Sequence, residues 1–119
     1  MKSKWLFILF VIFSSRLFAG EADVLEVKIH PLGDNRYAID ATVQHADTGW
    51  DHYANAWEVL DEKDAVLGKR VLLHPHVGEQ PFTRSHTVTI PQTVKTITVR
   101  ALDSVHGAGG KTVTIDVPE

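Results

Sequence analysis

From Asp23 to the end of the chain, apolar and polar residues alternate with a period of two rather than 3.6. That period predicts strands with one buried face and no amphipathic helix. The first predicted strand turns Leu25, Val27 and Ile29 inward between Glu26 and Lys28 and ends at His30-Pro31. Gly33-Asp34-Asn35 is turn chemistry. A second strand carries Tyr37, Ile39, Ala41 and Val43 inward, and the next step of that stripe lands on His45. After a polar and aromatic connection over 46–55, Trp57 and Val59 open a third strand. Residues 65–73 return as a fourth, with Gly68 marking a bulge or kink. The fifth strand places Arg84, His86, Val88 and Ile90 on one face and Thr83, Ser85, Thr87 and Thr89 on the other, stopped by Pro91. In the sixth, Ile97, Val99 and Ala101 point inward and Asp103 takes the following inward position. Gly107 to Gly110 then form a glycine-rich loop, expected to make a tight or bulged turn. Beyond it lies a seventh strand with Val113, Ile115 and Val117 inward.

Short strands at this spacing, with a tryptophan early in the third, predict an all-β fold. The expected form is a seven-stranded antiparallel sandwich, immunoglobulin-like in the fibronectin type III manner. Strands one, two and five face a sheet ordered four, three, six, seven. Because antiparallel strands alternate direction, successive connections alternate between the two ends. One end receives ordinary turn residues. The other receives His45, Asp47, Asp51, His52, His74, His76, Glu79, Asp103 and His106, so five of the seven histidines share a pole, and His86 near the top of the fifth strand would be a sixth. Loops on a rigid sandwich are where binding residues concentrate.

Composition sharpens this picture. Lys2 and Lys4, an apolar run from Trp5 to Phe13 and the exit Leu17-Phe18-Ala19 have the form of a secretory signal cleaved after Ala19. The run is too short for a spanning helix. The expected product is one domain over 20–119, periplasmic or secreted, with no stable membrane insertion. Removing Lys2, Lys4 and Arg16 takes the net charge from −3 to −6, which disfavours nucleic acid. The chain has no cysteine, which excludes disulfides and a lipid-modified cysteine, and its one methionine is Met1. Soft ligands for Cu(I) are therefore absent from the processed chain, while imidazoles and carboxylates suit Cu(II) or Zn(II).

His74-Pro75-His76 carries the sharpest chemical signal. A proline holds its predecessor extended, and residues two apart on an extended segment leave the same face roughly 6–7 Å apart. A chelating pair results, to which His52 and His106 would add nitrogens and Asp51, Asp103 or Glu79 an oxygen. The expected metal set is His52, His74, His76 and His106. Around it, His45, Asp51, Glu79, Arg84, His86 and Asp103 form a supporting or purely structural network. Within that network His45 is expected to bond Asp103, and Arg84 a carboxylate from Glu79, Asp47 or Asp103. The bland alternative has one imidazole capping a loop carbonyl and the other solvated. Trp50, Tyr53 and Phe82 form a candidate aromatic platform for a sugar or peptide, or plug the end of the sandwich.

The stretches GWDHYA at 49–54, LLHPHVGEQPFTR at 72–84 and DSVHG at 103–107 resemble small exported bacterial proteins with an immunoglobulin- or fibronectin type III-like sandwich. The resemblance implies that the three stretches share a site and says nothing of its chemistry. A Ser104, His106 and Asp51 triad lacks any nucleophile-elbow signature, and no catalytic residue is assigned. Three readings follow. The first is binding of Cu(II) or Zn(II) for metal handling or sensing. The second is a module binding a periplasmic protein or a glycan, and the third a metal-dependent hydrolase with Glu79 as base.

Overall fold

The structure is a computed structural model and describes residues 20–119; the leader assigned to residues 1–19 lies outside the described residues. Eight strands form two antiparallel sheets: β1 (Asp23–Gly33), β2 (Arg36–Gln44), β3 (Ala54–Leu60), β4 (Val66–Val71), β5 (Phe82–Thr89), β6 (Thr96–Asp103), β7 (Gly107–Ala108) and β8 (Val113–Asp116). One sheet is ordered β1-β2-β5. The other runs β4-β3-β6, with β7 and β8 both pairing β6. The core lies between the sheets and includes Ile39, Ala41 and Val43 from β2, Trp57 and Val59 from β3, Val88 from β5, and Ile97, Val99 and Ala101 from β6. Among the described residues there is no helix, and so none long and apolar enough to cross a membrane.

The period-two reading locates these strands, and the strand missing from it is β7. Leu102 pairs with Ala108 and Asp103 with Gly107, so the loop after β6 folds straight back on its own strand. A second difference lies at Leu25, which is exposed rather than inward. The β1–β2 register shifts between Val24 and Glu26, and such a bulge reverses which face later residues occupy. Ala22 and Val24 are buried on one side of it, and Val27 and Ile29 pack against the core on the other. β1 also continues through Pro31 to Gly33. As an edge strand it tolerates a residue without an amide proton. Asp34 and Asn35, both at positive φ, close the β1–β2 hairpin, the geometry of a two-residue type I′ turn.

Gly68 sits where β4 slips register against Val59 and Leu60. A Cβ there would stand 2.8 Å from Val88 Cγ2 of the opposite sheet. Gly68→Ala should therefore lower stability by about 1–3 kcal/mol, the usual cost of overpacking, measured as a shift in the urea midpoint without change of slope.

Candidate metal centre

The three loops meet at one pole as strand polarity requires. The inward stripe of β2 runs two steps past the strand, through buried His45 and buried Asp47. Asp47 is the hub of the pole. Its Oδ1 accepts from the Ala54 amide at 2.9 Å and meets His45 Nδ1 at 2.6 Å, and its Oδ2 accepts from the His76 amide at 2.8 Å. Gln80 reinforces it: Oε1 accepts from the His45 amide at 3.0 Å and Nε2 donates to the His76 carbonyl at 3.1 Å. Sequence reasoning did not give Asp47 this role. The signal was available, because the His45 stripe extends by one more period to Asp47.

His52 is set by a small turn. Its amide donates to Gly49 O at 3.2 Å and its carbonyl accepts from Thr48 N at 3.0 Å, with Gly49 at φ +147. Asp103 ends β6 and folds the next residues around its carboxylate, Oδ1 accepting from the Val105 and His106 amides at 2.9 and 2.7 Å. Aspartate favours this turn because its side chain reproduces a backbone acceptor. Two rings converge on the same oxygen, His52 Nε2 at 3.2 Å and His106 Nδ1 at 3.1 Å. The ring centroids of His52 and His106 lie 5.1 Å apart, and those of His45 and His52 4.7 Å apart. Ligand atoms of His45, His52 and Asp103 all fall within 4.8 Å of one another.

His45 does not bond Asp103 as expected; it pairs with Asp47, and Asp103 serves His52 and His106 instead. The cause is local, since the residue two beyond His45 lies on its own inward stripe. Nε2 of His45 faces the carbonyl oxygen of Gly20 at 2.8 Å.

His74 and His76 form a separate pair, their rings 4.6 Å apart. His74 is exposed and its Nδ1 lies 3.0 Å from the Pro75 carbonyl oxygen. His76 is 3% exposed and stacks on Phe82 at 4.0 Å and 11°. Arg84 does not pair with a carboxylate. Its guanidinium donates to His76 Nε2 at 2.9 Å and to the Thr83 carbonyl at 2.8 Å, and lies 5.5 Å from the centre of the Phe82 ring. β5 is an edge strand, so half-buried Arg84 keeps access to water and needs no counterion. A guanidinium only donates, hence Nε2 of His76 is a lone pair and Nδ1 carries the proton. That Nδ1 is buried and has no hydrogen-bond partner among the described residues. Arg84 thus occupies Nε2, and Nδ1 is enclosed.

The remaining positions divide plainly. Asp51 and Glu79 are exposed. His86 lies mid-strand opposite Ile39, its ring 6.3 Å from Trp57, below the pole rather than on it. Trp50 is 68% exposed and lies 5.4 Å from Tyr53 edge to face, whereas Phe82 is buried in the core and does not join them in a platform.

Two titrating groups at the pole are displaced. Burial, then Arg84, then the His74 ring push His76 below its ordinary 6.5. Burial alone would raise Asp103, but the His106 and Val105 amides and the His106 ring outweigh it and hold the carboxyl below its ordinary 3.8. For both groups the unfolded chain takes up the proton first as pH falls. The stability tied to His76 is thus complete above pH 6.5 and declines as pH drops through that value towards its folded pKa, and that tied to Asp103 is lost only below 3.8. Melting temperature should therefore begin to fall below pH 6.5, before Asp103 titrates. In Arg84→Gln the His76 ring, followed by NMR, should protonate at higher pH than in the parent.

No protein-family model matches the chain. A protein of Halomicrobium mukohataei named putative lipoprotein is 37% identical over 103 residues, 87% of this chain and 51% of that protein. The chain thus spans about half the length of the relative it matches. Among solved structures, superoxide reductase (1Fe-SOR) from Giardia intestinalis superposes with a TM-score of 0.44 at 14% identity, over 80% of this chain and 99% of that one. That likeness is too slight to speak for the fold or the chemistry.

Proposed function

We propose that the chain is an exported β-sandwich domain that binds a divalent transition metal, Cu(II) or Zn(II), at its loop pole, for metal handling or sensing rather than turnover. The observation that carries this is the convergence of His45, His52 and Asp103, with ligand atoms inside 4.8 Å and His106 sharing the same carboxylate. The 3.1–3.2 Å gaps from Asp103 Oδ1 to His52 and His106 are close to a tetrahedral edge, about 3.3 Å for bonds of about 2.0 Å. His45 donates to Asp47 through Nδ1, the partner arrangement that orients ligating imidazoles through their far nitrogen. We read the ligand set as His45, His52, Asp103 and His106, with His74 and His76 outside it.

The strand order supports an immunoglobulin-like sandwich of the fibronectin type III kind over 20–119. The leader and the name of the Halomicrobium relative both favour a periplasmic or secreted location. Titrating residues 20–119 with Cu(II) and Zn(II) by calorimetry at neutral pH should give one site tighter than about 1 μM. The paired changes His52→Ala and His106→Ala should abolish it and His74→Ala should leave it intact. No stoichiometric binding of either ion would overturn the reading.

A second reading is favoured by one observation. Trp50, Leu73, Val77 and Val105, one or two from each polar loop, are all more than half exposed, as an interaction module for a protein or glycan would require. Chelators would then leave its melting temperature unchanged.

A further inference from the structure

The entry of the chain into the sandwich is built with unusual closeness. Asp23 Oδ1 accepts from the Lys111 amide at 2.7 Å, and the Val24 amide donates to Lys111 O at 2.9 Å. Gly110 lies so near that a Cβ on it would stand 2.1 Å from Ala22 O, and one on Gly109 would stand 2.9 Å from a Glu21 carboxylate oxygen. These glycines clamp residues 21–23 against the loop before β8, and Gly20 is thereby delivered to the pole. There its carbonyl oxygen meets His45 Nε2 at 2.8 Å. Asp47 Oδ1 already holds Nδ1 of the same ring at 2.6 Å, so Nε2 is the nitrogen a cation would take, with the Gly20 carbonyl beside it. Two ligands at a right angle on an ion with bonds of about 2.0 Å are about 2.8 Å apart, the observed separation.

A carbonyl oxygen alone is a weak ligand for copper(II) or zinc. The nitrogen of the same residue lies two bonds beyond the carbonyl carbon, and a free α-amine there would close a five-membered chelate ring with the oxygen. Within the chain that nitrogen is an amide with no basic lone pair. It becomes an amine only if the bond between Ala19 and Gly20 is cut, the place where the leader pattern ends.

Building on the metal reading above, we infer that the α-amine released at Gly20 by leader removal is itself a ligand of the centre, chelating Cu(II) together with the Gly20 carbonyl and His45 Nε2. Processing then completes the metal site, and the precursor holds the ion weakly. Asp47, bonded to Nδ1, fixes the ring that the chelate shares.

The test compares two forms purified without metal: the chain beginning at Gly20, and the same chain with Leu17-Phe18-Ala19 retained. Both are titrated with Cu(II) by calorimetry, and the one-to-one complexes are examined by electron paramagnetic resonance with the glycine nitrogens labelled with 15N. The expected result is a loss of roughly tenfold or more in affinity when the tripeptide is retained, the scale set by effective concentration in a chelate. A 15N coupling is expected in the processed form only. Equal affinity and no 15N coupling in either form would overturn the amine ligand while leaving the histidine centre standing. Failure of both forms to bind Cu(II) would instead overturn the centre itself, and this inference with it. A circular dichroism spectrum common to the two forms establishes that the comparison is between equally folded proteins.

Discussion

Asp47→Ala should be the most damaging single change at the pole, lowering the melting temperature by about 15 °C or more. Three polar groups lose their acceptor at once: the His45 ring, the Ala54 amide and the His76 amide. The Asp47 side chain is fully shielded from water. Removing one partner of such a buried, charged network typically costs about 3–5 kcal/mol. For a domain of this size each kcal/mol shifts the midpoint by about 4–8 °C. Thermal melts followed by far-ultraviolet circular dichroism measure it. A fall of less than about 5 °C would mean that the loops hold each other by apolar packing and that Asp47 is incidental. The backbone donors make the effect specific: Asp47→Asn keeps an oxygen for one of them and should recover part of the loss.

Asp103→Asn should separate binding from folding. The asparagine retains a carbonyl oxygen able to accept the Val105 and His106 amides, so the turn after β6 survives and the melting temperature falls by only a few degrees. The charge that draws His52 and His106 together is gone, and the new amide group, in the place of Oδ2, turns a donor towards His106 Nδ1. Metal affinity should drop about a hundredfold or more, beyond the 10–100-fold typical of changes to groups that only orient ligands. Calorimetric titration with Cu(II) and Zn(II) reads it directly. Unchanged affinity would remove Asp103 from the ligand set and leave the rings alone as the site.

Much of this arrangement was legible because two simple regularities hold. Alternation of inward and outward residues located the sheet strands and their faces, and strand polarity then brought 45–52, 74–82 and 103–107 to one rim. Asp103 emerged as the next inward position after Ala101. The same rule carried past His45 would have found Asp47. The failures have equally definite causes. A single bulge at Leu25 reverses the face of the residues around it, and nothing in the pattern of β1 announces it. Phe82 looks like a loop aromatic by its neighbours but begins β5 on the inward face, under the His76 ring. The extended His-Pro-His segment does bring two rings together, yet whether an imidazole nitrogen is open depends on what fills its lone pair. For His76 that is Arg84, eight residues away and on another element. Spacing along the chain predicts proximity; it does not predict which nitrogen is already spoken for.

Trp57 is wholly enclosed between the sheets, while Trp50 stands in water three residues from Tyr53 and two from His52. With Trp5 in the leader, a chain starting at Gly20 holds these two indoles and no others. Their emission should resolve into a blue-shifted component from the interior and a red-shifted one from the rim. A paramagnetic ion at the rim would dim the second preferentially, giving the protein an intrinsic optical gauge of occupancy that needs no label.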